Sequence, residues 1–307
     1  MQNPQPPDHV LNTFGLTSHP PIAMGDTWVG GWRVGEVVLS LVPDHARAAW
    51  SASVRENLYV EGLRIARPFR ATDGRYVVSG WRADTYIAGS PEPRHDEVLA
   101  VGDRLHEVLA DLERPRFLLQ QPAPPHTDVD VFAAADRAAW EDVPLRSARA
   151  AGMTEPTSDD GRRSVDMLKT LGTLRKPVDV PSQVVHGDLF GTVLFAGAAA
   201  PGITDIVPYW RPAPWASAVV VVDSLAWGGA DDDLAGLAVA GGTHHECVGV
   251  DLLGIRQQRR RCGAVIEPGE SPAQLWRVDL HVLGDLGVRP FDDIVRPGNE
   301  FGVDLGR

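Results

Sequence analysis

The chain is 307 residues long, 43% hydrophobic and 23% charged, a composition of soluble globular proteins with enough length for a sizeable core. Its formal net charge of −12 argues against a general electrostatic hold on nucleic acid or on an anionic membrane. Only Cys247 and Cys262 are present, so no disulfide framework is implied, and the polar, proline-rich start is no signal peptide. Apolar runs such as 218–222 are far too short to span a bilayer. The expected location is the cytoplasm. Lysine occurs only at Lys169 and Lys176, while arginine supplies the other 27 basic side chains. Chemistry that needs a lysine in the first half is excluded.

In chain order, residues 1–20 read as a polar leader with one short apolar piece at 10–16. Three short apolar runs follow at 22–24, 32–34 and 37–42, separated by Gly25, by Gly30 and Gly31, and by Gly35-Glu36. Glycine-broken runs of this kind predict three antiparallel strands with tight turns. Residues 45–58 place Ala46, Ala49, Trp50 and Val54 at helical spacing. Two more strands are expected at 65–70 and 76–81, across a Thr72-Asp73-Gly74 turn. The order β-β-β-α-β-β defines a small sheet lobe over 21–85.

Beyond a linker at 89–93 the pattern turns helical. Residues 96–112 line Val98, Leu99, Val101, Leu105, Val108, Leu109 and Leu112 along one face. Further helices are expected at 131–140 and 164–175, with an exposed loop at 152–161 between them. Strand-like runs follow at 183–185, 193–195 and 203–207, then a helix at 215–227. These elements define a mainly helical second lobe over 86–236, and the expected fold class is α+β and two-lobed. No internal repeat is present.

Chemistry concentrates in Val184-Val185-His186-Gly187-Asp188-Leu189-Phe190-Gly191-Thr192-Val193-Leu194-Phe195, followed by Gly202-Ile203-Thr204-Asp205-Ile206. One apolar run delivers Asp188 onto a loop, and another returns the chain to deliver Asp205. Two carboxylates at adjacent strand ends suit phosphoryl transfer, one orienting a hydroxyl and the other holding magnesium between nucleotide phosphates.

On these residues the segment resembles the catalytic and metal-binding loops of the aminoglycoside phosphotransferase and choline-kinase superfamily. Roughly residues 8–235 are similar to an uncharacterised actinobacterial group within it. The similarity extends to Gly30-Gly31-Trp32-Arg33-Val34-Gly35, to Asp73-Gly74-Arg75-Tyr76-Val77-Val78-Ser79-Gly80-Trp81, to Leu105-His106 and to Pro208-Tyr209-Trp210-Arg211-Pro212. The resemblance implies a protein-kinase-like fold and ATP-dependent phosphorylation of a small-molecule hydroxyl. It makes Asp188 the catalytic acid, His186 its structural neighbour and Asp205 the magnesium ligand. Gly25, Gly30 and Gly31 would form the loop over the nucleotide.

Two departures from the superfamily pattern weaken that expectation. Thr192 stands where a second metal-ligating asparagine is usual, on a loop one residue shorter. Ser40 stands where the third strand should present a lysine to the phosphates. Arg33, one strand away, is a candidate replacement, although a guanidinium does not substitute freely for an ammonium. Glu56 is a candidate remnant of the lysine's partner. The alternative is therefore a catalytically inactive relative that binds a metabolite or a partner protein.

Past about residue 237 the text is glycine-punctuated and arginine-rich, with four arginines in 256–261. A lineage-specific tail and a changed reading frame both account for this, with composition leaning to the second. His244, His245, Glu246, Cys247 and Cys262 fit no zinc spacing.

Overall fold

Val37, Leu39 and Leu41 alternate with Val38 and Ser40 along the strongest apolar run of the first lobe, and a sheet is built around that strand. The computed structural model describes residues 3–25, 28, 30–119, 180–226, 228–230 and 234, all within one compact unit of the chain. The helices expected at 131–140 and 164–175, the loop between them and the section after 237, with its histidines, cysteines and arginine run, lie outside the described residues.

The first lobe contains α1 (Asp8–Phe14), β1 (Ile22–Ala23), β2 (Trp32–Val34), β3 (Val37–Leu41), α2 (His45–Asn57), β4 (Arg64–Ile65), β5 (Val77–Val78) and β6 (Trp81–Thr85). Five of the strands form one antiparallel sheet in the order β1-β2-β3-β6-β5. The α+β class and the small antiparallel lobe are thus as the sequence suggests.

Strand parity separates the two faces of this sheet. Val37, Leu39, Trp81 and Ala83 belong to one apolar cluster with Val10, Leu11 and Phe14 of α1. The leader's apolar piece is therefore part of the core of this lobe, and Gly15, at φ 69°, ends the helix in the left-handed conformation that glycine adopts freely. The other face carries Val38 and Ser40 beside Asp84 and Arg82, because Val38 pairs with Asp84 and Ser40 with Arg82 across the β3–β6 ladder.

Two expectations are corrected. The second hairpin turns at Ser79-Gly80, where both residues have positive φ (49° and 80°), and joins β5 to β6. Consecutive left-handed residues match the twist of a two-residue hairpin, which Thr72-Asp73-Gly74 does not. That tripeptide makes a separate loop turn, closed by Gly74 N–H donating to Ala71 O at 2.8 Å. Residues 66–69 instead run along β6, with Phe69 N–H donating to Ala83 O at 2.7 Å. Helix α2 also buries a different stripe: Ala48, Ser51, Ala52 and Arg55, not Ala46 and Ala49. Trp50 and Val54 pack at its border. Apolar periodicity misses this stripe because two of its four residues are polar.

The second lobe contains α3 (His95–Leu109), a 3-10 turn (Arg116–Leu119), β7 (Gln183–His186), β8 (Val193–Leu194), β9 (Gly202–Ile203), β10 (Pro208–Arg211) and α4 (Ala213–Ala226). Strands β7 and β10 pair antiparallel. Strand β9 pairs with β8 on one side and, in parallel, with β4 on the other. Val98, Val101, Leu105 and Leu109 of α3 pack with Val184, Leu189, Val193, Ile203, Ile206 and Val220 in one core. Val108, expected on the buried face of α3, is 41% exposed. No described helix is long and apolar enough to cross a membrane.

If α1 belongs to the core, Phe14→Ala should cost about 3–5 kcal/mol, the usual range for emptying a buried phenylalanine. Chemical denaturation would read the loss, and a change below about 1 kcal/mol would show that α1 only rests on the surface.

Candidate active site

Strand β7 ends at His186, and the chain turns at once through Gly187 into the loop that carries Asp188. A side chain at position 187 would not fit, since its Cβ would lie 2.4 and 2.5 Å from ring carbons of Tyr209. Gly187 N–H donates to Val207 O at 3.0 Å, which ties this turn to the segment leaving Asp205.

His186 is fully buried and acts as a strut. Its Nδ1 accepts from Asp188 N–H at 3.1 Å, and its Nε2 faces the Asp205 carbonyl at 3.1 Å. An acceptor Nδ1 leaves the proton on Nε2, so the neutral ring donates to that carbonyl. One imidazole thereby fixes the backbone of both acids. Behind it, His106 Nε2 accepts from His186 N–H at 3.0 Å, and the His106 carbonyl receives the Gln183 amide at 2.6 Å. Burial holds both rings below the usual histidine range, His106 at about 3 and His186 at about 4. The neighbouring His186 adds to the effect on His106, whereas Asp205 opposes it on His186.

Asp188 sits at an exposed position, and its carboxylate has no hydrogen-bond partner among the described residues. Surrounding protein, and then the charge of Asp205, push it up to about 6. Its open surface and its desolvation pull in opposite directions. Solvent contact screens part of that charge. Thr192 closes the loop by donating its hydroxyl to the Asp188 carbonyl.

Asp205 is placed quite differently. Its Oδ1 accepts from Ser51 Oγ at 2.5 Å and from Ile206 N–H at 2.8 Å, and lies 3.6 Å from Arg55 Nε. Its Oδ2 is bonded by Arg82 Nη1. Asp84 completes the group, 2.8 Å from Arg55 Nη1 and 3.1 Å from Arg82 Nε. Arg55 is 0% exposed and also donates to Ala66 O at 2.6 Å. The result is a charge-balanced quartet of two arginines and two aspartates from α2, β6 and the loop after β9, with Arg55 and Asp84 buried and Arg82 and Asp205 at its partly exposed edge. Burial alone would raise the Asp205 carboxyl, but Arg82, Arg55 and Ser51 together hold it far below the usual range. The Arg82 guanidinium is opposed by its own burial, yet Asp205 and Asp84 keep it firmly protonated.

A divalent cation fits this donor set poorly. Both Asp205 oxygens are engaged, one of them by a guanidinium that would repel a metal. The Thr192 hydroxyl is turned to a carbonyl, and no cluster of three or more metal-ligating side chains occurs among the described residues.

The other sequence candidates divide. Gly25, Gly30 and Gly31 come together in one loop between β1 and β2, closed by Gly30 N–H donating to Gly25 O at 3.3 Å. A Cβ at Gly31 would lie 2.9 Å from both Leu39 O and Ser40 Oγ, so this glycine lets the loop lie directly on β3. Ser40 is buried beneath it. Arg33 points elsewhere, donating to Gly35 O at 2.7 Å and Glu36 at 2.8 Å while its guanidinium lies 3.7 Å from the Tyr86 ring centroid. Glu56 pairs with Arg70 at 2.6 Å and accepts from Tyr76 at 2.9 Å. A cavity of about 230 Å³, lined by Gly15, His19, Val34 and Phe69 among others, lies beside α1 and includes neither Asp188 nor Asp205.

Sequence reading missed Ser51, Arg55, Arg82 and Asp84. The signal for two of them was present: Arg82 and Asp84 alternate with Trp81 and Ala83, the period of a strand with one charged face.

No protein-family profile and no curated protein matches the chain. Solved structures similar to it include a choline/ethanolamine kinase family protein from Mesorhizobium loti (13% identity, TM-score 0.43, covering 94% of this chain and 95% of that one). An ADP-bound aminoglycoside phosphotransferase is similar at 11% identity and TM-score 0.43, covering 92% and 97%. An ethanolamine kinase from Plasmodium vivax is similar at 8% and TM-score 0.42, covering 91% and 85%. These scores lie below one half, so the reading of the site rests on its own residues.

The two buried histidines predict a specific acid sensitivity. Their folded pKa values lie below the unfolded value, so the unfolded chain binds more protons as pH falls from about 6.5 towards 4. Stability should therefore be intact above about pH 6.5 and fall through that window. Thermal melts at pH 7 and pH 5 test this, and His106→Gln, which keeps an acceptor but does not titrate, should shrink the drop.

Proposed function

We propose that the chain is a kinase-like protein of the aminoglycoside/choline phosphotransferase type, binding ATP and presenting a small-molecule hydroxyl to Asp188, with weakened turnover. The observation that carries this reading is the Asp188 carboxylate. It sits at an exposed position, has no hydrogen-bond partner among the described residues and is tied through its backbone N–H to His186, while the companion acid Asp205, 17 residues on, has both oxygens engaged. A carboxyl raised to about 6 is ionised at neutral pH and basic enough to accept a proton from a hydroxyl during attack on phosphorus. In this reading the glycine loop packed on Ser40 is the cover over the phosphates. The chain's negative charge favours a small-molecule acceptor over nucleic acid.

The inactive alternative is favoured by one observation, the pairing of Asp205 with Arg82 and Arg55. In that reading the chain binds a nucleotide, a metabolite or a partner protein, and no phosphate is transferred.

Calorimetric titration with ATP, with and without magnesium, combined with a phosphate-transfer assay across small alcohols and amines, separates the two. The enzyme reading expects ATP binding and turnover well below the general enzyme median of about 10 per second. The rate should rise with pH through about 6 as Asp188 ionises. Asp188→Asn should lower it by roughly a hundred- to ten-thousand-fold while leaving ATP binding intact. Binding without transfer at any pH supports the inactive reading, and failure to bind any nucleotide overturns the enzyme reading.

A further inference from the structure

We infer that Arg82 is the cation on which the ligand's phosphates rest, and that Asp205 serves as the anchor of Arg82 and not as a metal ligand. This rests on the nucleotide-binding reading above.

The basic side chains nearest the sheet and the acids differ in what they are free to do. No lysine occurs among the described residues. Arg33 is committed to Gly35, Glu36 and the Tyr86 ring. Arg47 donates to Pro208 O at 3.2 Å and lies 3.7 Å from Asp44. Arg55 is wholly enclosed, held by Ser51, Ala66 O and Asp84, so no ligand reaches it without unpacking α2. Arg82 differs from all of these. Its side chain keeps 11% of its surface exposed, Nη1 and Nε face Asp205 and Asp84, and Nη2 has no partner among the described residues.

Position reinforces the assignment. Arg82 stands directly opposite Ser40 across the β3–β6 ladder, and Ser40 lies against the Gly31 turn of the glycine loop. A short side chain at 40 leaves this face of the sheet, beside the loop, to the long side chain of Arg82 from the next strand. The guanidinium is bonded to Asp205, whose charge is felt by Asp188. A phosphate chain under the loop would therefore meet Arg82 on its way to the acceptor side. The two aspartates keep the guanidinium charged and fix its plane, which is what a planar fork needs to grip phosphate oxygens. Arg55 in turn steadies both aspartates and is a positioning residue.

The test compares ATP with adenosine, which lacks the phosphates, by calorimetry in EDTA. Wild type should bind ATP without a divalent cation and prefer it clearly over adenosine. Arg82→Gln should weaken ATP roughly ten- to a hundred-fold and leave adenosine unchanged. Because Arg82→Gln strips a partner from Asp205 and from the buried Asp84 and risks unfolding, Arg82→Lys serves as a second variant. It keeps the charge, loses the fork, and should show the same selective loss in smaller measure. Ser40→Lys in the Arg82→Gln background should recover ATP affinity by bringing a cation to the same space from the opposite strand.

The assignment is overturned if folded Arg82→Gln and Arg82→Lys bind ATP as wild type does, or if ATP and adenosine weaken together. ATP that binds with magnesium yet not in EDTA also overturns it, while leaving the nucleotide reading standing. Absence of ATP binding in both buffers overturns both.

Discussion

Two arginines and two aspartates share one largely buried network, and the placement of the sheet lobe against the acid-bearing loops depends on it. Arg55 comes from α2, Arg82 and Asp84 from β6, and Asp205 from the loop after β9. Desolvating four charges is costly, and their mutual attraction offsets that cost only while every member is present. Removing one partner leaves its neighbours charged and unpaired, which in comparable buried pairs costs about 3–5 kcal/mol. The network therefore acts as a register pin. Were β6 to slip by one residue, Arg82 and Asp84 would turn onto the α1 face, among Val10, Phe14 and Leu39.

The same network separates the roles of the two acids. Asp188 sits at an exposed position with no carboxylate partner among the described residues, whereas Asp205 is ion-paired with Arg82 and Arg55. Two carboxylates whose environments drive their proton affinities apart can divide the work, one exchanging protons and the other remaining a fixed negative charge. His186 makes the division geometric as well as electrostatic, because a single neutral ring holds the Asp188 N–H and the Asp205 carbonyl at once. Its burial beside His106 excludes the doubly protonated ring that would lose one of these bonds.

Local chain geometry supports the arrangement at two glycines. Gly187 permits Tyr209 to pack over the turn into the Asp188 loop, and Gly31 permits the loop between β1 and β2 to lie on β3. Both positions require the absence of a Cβ, a packing demand distinct from the left-handed backbone that Gly15 and Gly80 supply. On the opposite side of the sheet, α1 contributes Val10, Leu11 and Phe14 to the apolar cluster. One face of the sheet is thus closed by hydrophobic burial and the other by ion pairing.

The sequence by itself determined the elements whose signals are local. Strands β2, β3, β7 and β8, helix α3 and the strand-end placement of Asp188 all follow from short apolar runs broken by glycine or from 3.6-residue periodicity. It did not determine what surrounds Asp205. That acid meets Arg82, 123 residues earlier, and Ser51, 154 residues earlier, and no local pattern encodes partners so far apart. The buried stripe of α2 was hidden for the same reason, since Ser51 and Arg55 look like surface residues until Asp84 and Asp205 arrive to satisfy them. Tertiary structure also decided the fate of Arg33, which sequence offered only as a candidate for the phosphates and which folds back onto Glu36 and Tyr86. Hydrophobic periodicity is written along the chain, whereas the pairing of buried charges exists only once distant segments are brought together.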